Sequence, residues 1–188
     1  DLTQILGTDN VLFFPSSYRR AVKYAQRDAA NEILRTETLS RLAAVSGNAK
    51  KRADNSETAP FLYLVTCPEA LSELVVSKRR LDDRTINIAV GAIVHLADLG
   101  RKWREFGFSE VDYVYEPGQL AMRGSIVDVY SYSSELPFRI DFFGDEVDTI
   151  RTFEVADQLS KVSKQSVSIV PELARTAEQK QPFTTMLP

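Results

Sequence analysis

Few residues in this chain of 188 are of a type and spacing that could do chemistry. Cys67 is its single cysteine and His95 its single histidine, which excludes an internal disulfide, a cysteine-built zinc site and a histidine metal cluster. Cys67 ends an apolar stretch just before Pro68, the setting of a small buried hydrophobe rather than of an activated thiol. His95 stands off the Ile93, Leu96, Leu99 stripe, so a half-exposed helical histidine is expected there, and neither residue has a partner at a recognisable spacing. The run Asp145-Glu146-Val147-Asp148 looks like the acidic box with which helicases hold magnesium. The sequence contains no GxxxxGK[ST] loop and no GxGxxG, so such a box has no phosphate to serve. Its place after Gly144 makes a solvated turn the expectation. No catalytic residue, cofactor site or metal site is expected in this stretch of chain.

Binding chemistry is better represented. Arg123 opens a strand against Gly124, Arg139 and Asp141 share a strand face, and Phe142-Phe143 places two aromatics on opposite faces, one for the core and one outward. Arginine and aromatic side chains standing on a rigid sheet are the types that carry binding energy in protein interfaces, often ~2 kcal/mol or more each. The same arginines could instead pair with Asp128, Asp141 or Glu146 across the sheet, for ~0.2–1 kcal/mol per pair. The residues alone leave both roles open.

Positioning these side chains takes a sheet, and the stretch 115–160 supplies one. In RGSIVDVY, Ile126, Asp128 and Tyr130 fall on one face and Val127 and Val129 on the other. Phe138 to Phe143 is rich in aromatic and β-branched residues, Gly144-Asp145 makes a turn, and Val147 to Phe153 alternates again, with Val147, Thr149, Arg151 and Phe153 on one side. Connections this short require antiparallel pairing. Upstream, INIAVG predicts a strand, 92–106 a helix with its apolar stripe through Trp103 and Phe106, closed at Gly107, and YVYE a strand before the Pro117-Gly118 turn. SVSIVPEL at 166–173 is one further strand or the way out of the domain.

The first part has a different character. LTQIL predicts a short helix stopped by Gly7; VLFFP and FLYLVT are continuous apolar runs of the kind found in covered parallel strands. Between them residues 28–45 favour helix, and 46–60, with no large apolar residue, predicts a solvated loop. Pro68 opens a helix through EALSELVV, and KRRLDDR reads as a charged connector. The expected organisation is an α/β piece over 1–84, an α+β domain with a mostly antiparallel sheet over 85–172, and an exit toward a next subdomain over 173–188. Net charge is −3, against a surface built to grip nucleic-acid phosphates. With no long apolar run and no leader-like start, a reducing cytoplasm is the expected compartment. The start at Asp1 without methionine suggests a piece of something longer.

The run RGSIVDVYSYSSELPFRIDFFGDEVDTIRTFEVADQLS resembles the N-terminal part of the Mfd family of bacterial transcription-repair coupling factors and, more distantly, UvrB, the damage-recognition subunit of the nucleotide-excision nuclease. The likeness rests on the RG opening, the ELPFRIDFFGDE core, the VDTIR strand and the glutamine of the closing motif, and extends more weakly back to VLFFP. Where family members often carry Gln-Arg-Ser, this chain has Gln158-Leu159-Ser160. The resemblance implies a degenerate helicase-like fold that has lost its nucleotide site, carrying a domain that docks onto UvrA, with Arg123, Arg139 and Phe143 at the contact positions. It implies that ATP and magnesium, translocation on DNA and contact with RNA polymerase belong to other domains of the parent, and that C-terminal domains of the parent mask the docking face at rest. The alternative it leaves is a UvrB-like domain that touches damaged DNA directly. Against that, Arg123 to Arg151 carries three arginines and six acids (Asp128, Glu135, Asp141, Asp145, Glu146 and Asp148).

Overall fold

The computed structural model describes residues 2–7, 10–18, 28–52, 61–173 and 180–187. The chain is α+β, mostly antiparallel, and divides into two compact units, Asp1–Leu81 with Thr176–Pro188, and Asp82–Arg175.

In the first unit, α1 (Leu2–Leu6) precedes β1 (Val11–Phe14), α2 (Ala29–Arg52) and β2 (Tyr63–Thr66). β1 and β2 pair in parallel from Val11 opposite Tyr63 to Phe14 opposite Thr66, with α2 in the connection between them. Phe14 is fully buried, stacked on Phe183 at 4.1 Å and covered by the Arg35 guanidinium at 4.1 Å. Glu73 accepts hydrogen bonds from Ser16 Oγ at 2.6 Å and from the Ser17 amide.

Several local expectations give way here to tertiary structure. The helix expected to end at Val45 runs to Arg52, into the expected 46–60 loop, while 53–60 lie outside the described residues. The helix opened by Pro68 stops after one turn, α3 (Pro68–Ser72), and Leu74–Val76 becomes strand β3. β-branched Val75 and Val76 lose rotamer freedom in a helix, and both are buried as strand residues. The expected exit at 173–188 turns back, since β12 (Lys180–Pro182) pairs antiparallel with β3. KRRLDDR is helix α4 (Lys78–Arg84), because Leu81 buries one side of an otherwise charged segment.

The second unit is built on a sheet of order β10-β9-β8-β7-β6-β5: β5 (Ser109–Glu110), β6 (Gln119–Arg123), β7 (Ile126–Val129), β8 (Phe138–Phe143), β9 (Glu146–Phe153) and β10 (Ser160–Lys164). All neighbours run antiparallel except β5 and β6. One face packs Leu120, Val127, Val129, Ile140, Phe142 and Ile150 against Leu99 and Trp103 of α5 (Leu96–Glu105). The same core takes Ile86, Ile88, Val167 and Ile169 from the antiparallel pair β4 (Ile86–Ala89) and β11 (Ser166–Ile169). Met122 packs over Gly100 of α5, where a Cβ would lie 2.7 Å from its Sδ and would require that side chain to shift.

Three expectations for this unit are corrected. YVYE is irregular, and the strand is β6, after the Pro117-Gly118 turn rather than before it. The helix expected from Ala92 begins at Leu96, and after a turn at Gly91 the segment 92–94 lies beside the start of β9, through Gly91 N to Val147 O (2.8 Å), Val147 N to Ala92 O (2.9 Å) and Val94 N to Asp145 O (2.7 Å). Finally, the β8–β9 ladder slips between Asp141 and Phe142, so that Asp148 is an extra residue on β9. Val147 therefore faces the core, opposite to Thr149, Arg151 and Phe153 with which simple alternation grouped it.

Candidate functional site

The face of the sheet turned away from α5 carries the sequence-predicted residues in four rows, set by the strand register. Tyr130 and Phe153 form the first row with Val114 and Ala121 nearby, a small buried apolar cluster. Asp128, Arg139 and Arg151 stand opposite one another in the second. Arg123, Ile126, Asp141 and Thr149 make the third. In the fourth, Phe143 and Glu146 are paired at the β8–β9 hairpin, and Ile93 is bridged to Glu146 from the other side.

Asp128 organises the middle of this face. Its side chain is fully buried and accepts from Arg139 through Nε at 2.7 Å and Nη2 at 2.9 Å, a bidentate contact, and from Arg123 Nη2 as well. Arg139 spends a third donor on the Gln158 carbonyl at 3.1 Å and lies 4.6 Å over the Phe153 ring. The hydrogen bond to Asp128 raises its pKa above the ordinary arginine value, although burial pulls the other way. Arg123 donates to the Asp112 carbonyl at 2.7 Å and lies 5.3 Å over Tyr113. One row on, Asp141 accepts from Thr149 Oγ1 at 2.7 Å and pairs with Arg151. The arginines thus do form the cross-strand pairs that the sequence left as one of two roles. They also keep an outward surface, with side chains 17% (Arg139) and 37% (Arg123) exposed.

Phe143 does neither of these things. Phe142 is buried and Phe143 is 83% exposed, the split expected of adjacent strand residues. It stands two residues beyond Asp141 along β8, away from the carboxylate that gathers the two arginines. The three predicted residues therefore share a face but not a cluster.

Residues with no contact role expected from the sequence complete the face. Gln158 takes a positive φ of 59° and donates through Nε2 to the Val155 and Val114 carbonyls, fixing the loop whose carbonyl receives Arg139. A non-glycine residue in that region carries no sequence signal of its own. Tyr113, under Arg123, lay in a segment predicted as strand. Ile93 was assigned to a helical stripe. Tyr130 donates to the Glu135 carbonyl at 2.6 Å, and burial, with Glu135 and Glu154 nearby, raises its pKa. His95 stands at the N-cap position of α5 without a side-chain capping bond, and its Nδ1 meets Asp145 Oδ2 at 2.9 Å. Among the described residues no group of three or more His, Cys, Asp or Glu could hold a metal ion, and no helix is long and apolar enough to cross a membrane.

Comparison with known proteins adds to this geometry. Residues 86–174 match the family model described as the UvrB interaction domain. The chain is 30% identical over 182 residues to the transcription-repair-coupling factor of Bacillus subtilis, covering 96% of this chain and 14% of that one. It is 40% identical over 65 residues to that of Escherichia coli (35% of this chain, 6% of the relative) and 43% identical over 56 residues to that of Mycobacterium tuberculosis (30% and 4%). The chain thus spans 14% or less of the length of these curated relatives.

Proposed function

The chain belongs to the transcription-repair coupling factors, as the UvrB-homology module of their N-terminal part, and from that premise we propose that it is a non-catalytic docking module that recruits UvrA to stalled RNA polymerase in transcription-coupled nucleotide-excision repair. The contact surface is the outer face of the six-stranded sheet, with Arg123, Arg139 and Phe143 as its contact residues. The observation that carries this reading is the locked geometry of that face. Two arginines are held on one buried carboxylate, and an aromatic ring stands 83% exposed on the same β-strand as one of them. The two arginines, already fixed before binding, lose little entropy on association.

Unit 1, with its parallel β1–α2–β2 crossover, supports the reading of a degenerate helicase-like piece. ATP-driven translocation, with ATP and magnesium, and contacts to DNA and RNA polymerase fall in this reading to other domains of the parent. Direct contact of this chain with damaged DNA is disfavoured, because acids outnumber arginines two to one between Arg123 and Arg151 and the arginines are occupied by aspartates.

The test is titration of the chain against UvrA from the same organism, beside Phe143→Ala and Arg139→Ala, with thermal unfolding of each. Submicromolar binding by wild type, weakened more than about tenfold (~1.4 kcal/mol) in Phe143→Ala at unchanged unfolding temperature, is the expected result. Absence of wild-type binding would overturn the reading.

A further inference from the structure

The row at the tip of the β8–β9 hairpin holds more than Phe143. Ile93 is 74% exposed, and its backbone bridges Glu146 on the side away from Phe143. Side chains paired across neighbouring strands point to one face, so Ile93, Glu146 and Phe143 stand in line on it. Two strand spacings put the two apolar groups about 10 Å apart. Around them Asp145, Glu146 and Asp148 are exposed.

Single exposed hydrophobes are ordinary; two in one row on a pinned backbone are less so. The segment bearing Ile93 is fastened to the hairpin by three main-chain hydrogen bonds of 2.7–2.9 Å and by the contact of His95 with Asp145. Ile93 is therefore held outward by the fold. The same segment could have hidden this residue had helix α5 begun four residues earlier.

We infer that Ile93 and Phe143 form one apolar anchor with an acidic rim, which seats in an apolar socket edged by lysine or arginine on the partner protein. This rests on the docking reading above and extends it by a residue, Ile93, and by the charge of the partner's rim. The arginine rows are neutralised largely within this chain by Asp128 and Asp141, whereas the carboxylates at the tip are open to solvent. Complementarity at the tip therefore calls for positive charge opposite.

The deciding experiment titrates UvrA against the 188-residue chain carrying Ile93→Ala, Ile93→Asp, Glu146→Lys or Phe143→Ala, with Val162→Ser on β10 as an exposed apolar control. Thermal unfolding is recorded for each. Ile93→Asp is expected to weaken binding more than about tenfold, Ile93→Ala and Glu146→Lys by about threefold to tenfold, and Val162→Ser not at all. If both Ile93 variants bind as wild type while Phe143→Ala is weakened, the anchor is Phe143 alone and this inference fails with the docking reading intact. If Glu146→Lys binds as well as wild type or better, the basic rim is wrong. If wild type does not bind UvrA, the docking reading fails and takes this inference with it. Should Ile93→Asp fail to fold, Ile93→Ala and Glu146→Lys still decide the matter.

Discussion

The middle of the outer face and its hairpin end are built from the same strands and serve opposite physical purposes. Around Asp128, two arginines satisfy a carboxylate that has no access to water, so side chains suited to binding also hold the sheet together. At the tip, Phe143 and Ile93 touch solvent and the fold asks little of them beyond their backbone. Substitution in the first region therefore confuses stability with recognition, and substitution in the second separates them.

The largest effect should come from Asp128→Ala, which leaves Arg123 and Arg139 converging on nothing; a loss of about 3–5 kcal/mol in urea unfolding is expected. Arg139→Ala should cost about 2 kcal/mol, less because Arg123 still holds the carboxylate, but it strands the Gln158 carbonyl and uncovers Phe153. An unchanged urea midpoint in either variant would erase the distinction between the two regions. Phe143→Ala, by contrast, should change stability by less than about 0.5 kcal/mol while losing most of the affinity for UvrA.

A smaller effect sharpens the comparison from the locked end. Burial holds Tyr130 neutral with a pKa above the ordinary value of 10.0. The folded chain thus keeps a proton that the unfolded chain releases near pH 10, so this stabilisation is complete below that pH and declines as pH rises through the folded pKa. Tyr130→Phe should flatten the fall in stability above about pH 10, on top of a pH-independent loss of about 1 kcal/mol from its hydrogen bond to the Glu135 carbonyl. A parallel fall in both proteins would show that Tyr130 does not contribute.

Much of this was legible in the residues. Alternation set Val127 and Val129 on one face against Ile126, Asp128 and Tyr130 on the other, and the adjacency of Phe142 and Phe143 required one to be outside. The burial of Asp128 was not legible, since carboxylates are seldom fully buried and only the third dimension brings two guanidinium groups to one of them. Ile93 misled because spacings of three fit a helix, while the competing partner, the start of β9, lies more than fifty residues on. Leu81 alone in a charged run was too faint a sign of α4. The contact role proposed for Arg123, Arg139 and Phe143 came from family resemblance; the geometry adds that the first two are anchored and the third is not.

The extra residue on β9 carries a consequence of another kind. Because the ladder skips Asp148, chain length and sheet geometry are uncoupled at that point. A homologous strand one residue shorter there can keep Phe142 opposite Val147 and Asp141 opposite Thr149, so both faces survive the deletion. Ironing the strand flat with its length unchanged would instead set Asp148 across from Phe142, against the core. A deletion here therefore keeps both faces of the sheet and removes only one exposed carboxylate from the tip, and gaps in alignments of related chains are to be expected at this hairpin.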